Sequence, residues 1–245
     1  MHANIELIVE AGYGQMCERA AEIFAEAVRE KPDGVYGFAT GGTPVGMYKK
    51  LIEMYKNGEL DFSRVTAFNL DEYYPIGRAN VQSYYYFMRE NLFSHININP
   101  ENTNIPSGEA KDANAECAAY DKKIEGMGGI DLQLLGIGAN GHIGFNEPAE
   151  SFSTRTAYVP LAEITVQSNA RFFESAGDVP RHALTMGIRN IMMSRRILLL
   201  ANGEGKAAIL RDALNGPVTP LVPASALQLH GHVTVVADKA AAALF

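Results

Sequence analysis

An α/β fold, with a mainly parallel open sheet covered by helices on both faces, is what this chain of 245 residues predicts. Three observations carry the expectation. Short apolar runs alternate with helical periodicity along almost the whole length. Every clean apolar run is strand-sized, the longest being Ile197 to Ala201. Glycine, 23 residues in all, gathers in the turns that follow several of these runs.

Taken in order, Ile5–Glu10 reads as a strand, and Met16, Ala20, Phe24 and Ala27 repeat at helical spacing between Gln15 and Glu30. Val35–Ala39 is a second strand, after which Val45, Tyr48, Leu51 and Tyr55 mark a helix. Val65–Leu70 is a third strand. Ser83–Phe93 and Ala113–Glu125 read as helices, and Ile130–Ile137 as a strand. Beyond these come a short run at Thr156–Pro160, a helix around Ile164–Phe173 and a helical stretch Arg181–Met193. A buried run Arg196–Ala201, a helix Lys206–Leu214 closed by Gly216-Pro217, and a last strand His232–Val236 complete the pattern. No linker, low-complexity tract or fixed-period repeat divides residues 1–245, so one domain is expected.

Composition narrows the function. Apolar residues make up 47%, enough for a sizeable core, and the formal net charge of −7 disfavours nucleic acid or an anionic membrane as a partner. Cys17 and Cys117 are too few for a disulfide framework or a multi-cysteine metal site. The N-terminal MHANIELIVEAG lacks the basic start and apolar centre of a signal peptide, so a cytoplasmic protein is expected.

In open α/β sheets ligands meet the carboxyl ends of strands, and three such ends stand out. Ala39-Thr40-Gly41-Gly42-Thr43-Pro44 brings two glycines, then Thr43 as helix N-cap and Pro44 as first helical residue. That arrangement suits a phosphate, although a plain strand-to-helix turn would look similar, and no Lys-Ser/Thr pair makes it a Walker loop. Phe68-Asn69-Leu70-Asp71-Glu72-Tyr73 places adjacent carboxylates at a strand end, one of them a candidate general base unless both are surface acids. In the third, residues 136–141 spell G-x-G-x-x-G. Gly144, Asn146 and Pro148 forbid the helix that a dinucleotide fingerprint requires, so a nicotinamide cofactor is rejected. What remains is a glycine-rich loop presenting His142 and, five residues on, Glu147, a pair suited to proton transfer or a histidine held structurally. His230-Gly231-His232 lacks an acid or cysteine to complete a metal site, and Tyr84–Tyr86 read as helix packing. No G-x-S-x-G elbow or H-E-x-x-H occurs.

Together, ATGGTP at 39–44, FNLDEY at 68–73 and the GHIGFNEP loop ending at 148 resemble the glucosamine-6-phosphate deaminase family, as do SNARFF at 168–173 and Lys206. The resemblance runs from about Ile5 to Val236. It implies a modified Rossmann-like fold and cofactor-free conversion of an amino sugar phosphate to fructose 6-phosphate and ammonia. On matching positions it implies Asp71 as the base between C2 and C1, His142 as the ring-opening acid/base, and Glu147 as the carboxylate that orients it. Gly41, Gly42, Thr43, Arg171 and Lys206 are then the phosphate site. Asn140 stands where better-known members carry Asp, which removes a charge beside His142 and bears on the pH optimum. Three positions that bind an activator's phosphate in allosteric hexameric members align with Glu150, Ala157 and Val159. Insensitivity to N-acetylglucosamine 6-phosphate and a monomer or small oligomer are therefore expected. Related readings are a 6-phosphogluconolactonase, whose loop lacks the acid at Glu147, a galactosamine 6-phosphate enzyme, and a non-catalytic sugar-phosphate sensor.

Overall fold

Apolar runs flanked by glycine become strands, and the amphipathic stretches between them become covering helices. The computed structural model describes residues 4–170, 173, 175 and 178–245. The first half runs β1 (Ile5–Glu10), α1 (Tyr13–Glu30), β2 (Val35–Phe38), α2 (Val45–Lys56), β3 (Thr66–Asn69), β4 (Asp71–Tyr74), α3 (Tyr84–Asn91), β5 (Thr103–Asn104) and α4 (Ala113–Gly126). The second half runs β6 (Leu132–Gly136), β7 (Ala157–Pro160), α5 (Glu163–Asn169), β8 (His182–Thr185), α6 (Ile188–Met192), β9 (Arg196–Ala201), α7 (Ala207–Asn215) and β10 (Val233–Asp238).

Seven strands form one all-parallel sheet in the order β1-β10-β9-β6-β2-β3-β5. β2, β3 and β10 are buried at every position, as strands covered on both faces must be. On one face Phe24 of α1 packs its ring 5.3 Å from Tyr36 and 5.2 Å from Phe38, with Tyr48 of α2 beyond. On the other, Tyr120 of α4 meets Phe68 edge-on at 5.5 Å. Side-chain caps fix two of these helices. Ser83 accepts the Tyr86 N–H at the start of α3, and Asp112 accepts those of Asn114 and Ala115 at the start of α4.

From β2 the chain winds outward through β3 to β5, whereas from β6 it winds the opposite way through β9 and β10. The loops after β2 and β6 therefore flank the point where strand order reverses, the place where such sheets bind ligands.

A second sheet departs from the expected pattern. β4, β8 and β7 pair antiparallel in the order β4-β8-β7, with Asp71 opposite Thr185. Asp71–Tyr74 is thus a strand rather than a strand end. The stretch Arg181–Met193, expected to be helical, is the strand β8 followed by the short helix α6. The reason is length: four- and five-residue elements are too short for their apolar spacing to separate the two periods. Gly187 marks the change, because a Cβ there would stand 2.4 Å from the Arg155 carbonyl oxygen. This sheet covers a smaller core of Tyr73, Ile76, Phe145, Leu161, Val166, Val179 and Ala183. Leu70 joins the two sheets, donating its N–H to Phe38 O at 3.1 Å and accepting that of Met186 at 2.7 Å. Of the expected helix at Ile164–Phe173, α5 is observed; Arg171 and Phe172 lie outside the described residues.

Candidate active site

Each strand end delivers one wall of a cleft of about 530 Å³, within the ordinary range for a small-molecule site. The loop after β2 supplies the first. Gly41 has φ 99°, a left-handed conformation that favours glycine, and a Cβ on Gly41 or Gly42 would project into open space. The backbone here is bare toward the cleft, as an anion cradle requires. Below it, the Tyr13 hydroxyl lies 3.1 Å from Gly42 O and 3.2 Å from Thr43 O and accepts the Gly46 N–H at 3.0 Å. Thr43 is not the helix cap: its hydroxyl donates to Asn202 Oδ1 at 2.8 Å, and α2 starts behind Pro44. Lys206, half-buried on the far side, donates from Nζ to Ile137 O at 2.6 Å, and burial pulls its pKa down.

β4 supplies the second wall and separates the two carboxylates. Consecutive strand residues face opposite ways, so Asp71 lines the cleft while Glu72 turns to α3. There Glu72 accepts the N–H groups of Tyr73, Tyr84 and Tyr85 at 2.8 to 2.9 Å. Burial pushes its pKa up, the three amides pull it back, and the group is spent as a helix cap. Asp71 is 6% exposed, and burial followed by the nearby Glu72 pushes its pKa up to about 8.

The loop after β6 supplies the third. Gly138 donates to His142 O at 2.9 Å, and Gly141, at φ 86°, closes the turn through Gly138 O. The imidazole lies against Gly138 so closely that a Cβ there would stand 2.3 Å from Cε1 and Nε2. His142 Nδ1 sits 3.3 Å from Glu147 Oε2 in an electrostatic contact that lacks hydrogen-bond alignment. Asn140 donates from Nδ2 to the same Oε2 at 2.7 Å, and Thr165 of α5 donates from Oγ1 to Oε1. Burial alone would raise the Glu147 pKa, but His142, Thr165 and Asn140 together bring it below the usual carboxylate range. The loop itself is pinned by Asn146, which donates to Ile143 O and Met186 O, and by Phe145 N–H donating to Thr185 Oγ1. A buried carboxyl group, a histidine–carboxylate pair and a bare glycine loop thus share one cleft.

The sequence model of the family described as glucosamine-6-phosphate isomerases/6-phosphogluconolactonase matches residues 10–236. This chain belongs to that family. A glucosamine-6-phosphate deaminase of Thermoanaerobacter sp. (strain X514) is 53% identical over 240 residues, 98% of this chain and 95% of that protein. One of Halothermothrix orenii is 52% identical over 98% of this chain and all of its own length. Among solved structures, a monomeric glucosamine-6-phosphate deaminase superposes with a TM-score of 0.96 at 46% identity, covering 98% of this chain and 100% of its own. A 6-phosphogluconolactonase from Thermotoga maritima, at 22% identity, TM-score 0.73 and coverage of 96% and 99%, shares the fold.

Within this isomerase/lactonase family cleft, Gly41, Gly42, Thr43, Asp71, Asn140, His142 and Lys206 are lining residues, and Glu147 stands directly behind His142. Arg171 lies outside the described residues. His230, as its sequence setting suggested, is structural: Nε2 pairs with Ser194 O at 2.8 Å, and Nδ1 accepts the His232 N–H. Tyr84, read as packing, does pack on the smaller core, stacking on Phe145 at 5.8 Å, and also lines the cleft. Thr165 and Asn202 carry no motif and were missed. Their signal was position alone: one lies in the helix after β7, the other directly after β9.

Proposed function

We propose that this protein converts glucosamine 6-phosphate and water to fructose 6-phosphate and ammonia by side-chain acid–base catalysis, as a single α/β unit. The observation that carries the reading is a buried Asp71, its pKa near 8, in the same cleft as the His142–Glu147 pair. The deaminases more than 50% identical over nearly the full chain support it, whereas the lactonase likeness extends to fold only.

The phosphate docks on Gly41, Gly42 and Thr43 with Lys206, and Arg171 completes the site. His142, its Nε2 free of hydrogen bonds to protein among the described residues, passes a proton to the ring oxygen and takes one back from the C1 hydroxyl. The open-chain aldehyde results. Ionised Asp71 then takes the proton from C2, the electron pair moves into a C1–C2 double bond, and O1 takes up a proton released by the substrate's ammonium group, giving an enolamine. Returning the proton to C1 leaves a C2 imine. Water adds to the imine, and the resulting carbinolamine expels ammonia, giving the ketone. A base with a pKa close to working pH suits both directions of the C2–C1 transfer. None of these steps calls for a metal or an organic cofactor, so activity is expected to survive exhaustive chelation. Loss on EDTA treatment with restoration by one divalent ion would overturn that part. We further propose that the enzyme works in the cytoplasm as a monomer on its small-molecule substrate.

The deciding experiment measures ammonia and fructose 6-phosphate released from glucosamine 6-phosphate, with galactosamine 6-phosphate and 6-phosphogluconolactone in parallel. Turnover of the first supports the reading. Turnover confined to the lactone or to the galacto sugar, or binding without turnover of any of the three, overturns it.

A further inference from the structure

Glu147 is held by three side chains from two parts of the chain. Asn140 and His142 reach Oε2 from its own loop, at 2.7 and 3.3 Å. Thr165 reaches Oε1 from α5, 18 residues further on, and is the one donor to that oxygen among the described residues. Thr165 is 5% exposed and lines the cleft, while its neighbour Val166 seats α5 in the smaller core. The outermost torsion of a glutamate is broad and roughly two-fold, so a contact on one oxygen does not fix the carboxylate plane. A second contact, on the other oxygen and from a different element, does.

We propose that Thr165 is a positioning residue: its hydroxyl locks Glu147 in the orientation that presents Oε2 to His142, so the seating of α5 sets the competence of the acid–base pair. The inference rests on the acid–base reading above. Removing the hydroxyl takes from Oε1 its one donor among the described residues, which disfavours the carboxylate and allows it to swing from His142. His142 is the titratable group in contact with Glu147. Asp71 and Lys206 line the same cleft, and Glu163 on α5 is exposed and paired with Arg181 at 2.9 Å.

The test compares Thr165→Val, which keeps the shape, with Thr165→Ser, which keeps the hydroxyl. With glucosamine 6-phosphate, Thr165→Val is expected to lower kcat about tenfold with KM changed less than about twofold, and Thr165→Ser to recover most of it. Protein labelled with ¹³C-glutamate, the Glu147 signal assigned from Glu147→Gln, gives a readout independent of turnover. The Glu147 midpoint should move up by about one pH unit in Thr165→Val and stay in place in Thr165→Ser. An unmoved midpoint in Thr165→Val, or a serine variant as impaired as valine, overturns the assignment. Should valine fail to fold, Thr165→Ala against Thr165→Ser carries the same comparison. A wild-type chain that releases no ammonia removes both readings; an active wild type with an unmoved Glu147 removes this one alone.

Discussion

Asp71 and Glu72 are neighbours with opposite fates, and the difference is measurable. Asp71→Asn removes the base and should lower kcat by about 10²–10⁴ while leaving KM nearly unchanged; a kcat within threefold of wild type would exclude the role. Because the folded pKa of Asp71 lies near 8, above that of the unfolded chain, the rate should rise with pH through the 7–8 region as the base ionises. Stability follows the opposite sign. Between about pH 4 and 8 the native state holds a proton that the unfolded chain has lost, so unfolding becomes easier as pH rises. Asp71→Asn cancels that term, and its melting temperature relative to wild type should climb between pH 5 and pH 8. Glu72→Ala should behave otherwise, losing about 2 kcal/mol or more of stability with the three amides it caps, as chemical denaturation would record. The sequence offered both acids at this strand end without saying which faced the cleft. Strand alternation decides it, and that is visible only once 71–74 is known to be a strand.

At the scale of elements, the cradle depends on loops from different strands holding each other in place. Lys206→Ala should raise KM for glucosamine 6-phosphate about ten- to a hundredfold, the contribution of a charged hydrogen bond, and an unchanged KM would place the lysine outside the phosphate site. Gly138→Ala should impair turnover through His142, since a methyl there displaces the ring; kinetics matching wild type would show that the imidazole has room to move. Six of the seven parallel strands were legible because buried runs such as Ile197–Ala201 have one plausible use, whereas the two-residue β5 was too short to read. β4 and β8 were not, being four residues long with mixed polar content. That the glycine loops, Asp71 and His142 would share a cleft was legible because the chemistry proposed for each needs a particular residue type at a strand end. Thr165 and Asn202 were not, because a hydroxyl or amide that orients a neighbour is recognised only by what it touches.

For the whole molecule, Glu150 is exposed and Val159 packs against the smaller core, so neither position offers a cation or a donor to a second phosphate. Initial rates are expected to be hyperbolic and unaffected by N-acetylglucosamine 6-phosphate, and light scattering should give the mass of one chain. Sigmoidal curves straightened by that compound would refute this. Leu70 is the one residue between β3 and β4, bonded to Phe38 of the parallel sheet and to Met186 directly after β8. Between β3 and β4 the chain therefore has a count of one, and the parity of that count selects the carboxyl group that faces the cleft. Lengthening the junction by one residue would turn Asp71 toward the start of α3 and carry Tyr73 off the face that packs the smaller core. A single inserted residue would thus take the buried carboxyl from the cleft and the Tyr73 ring from the smaller core in one step.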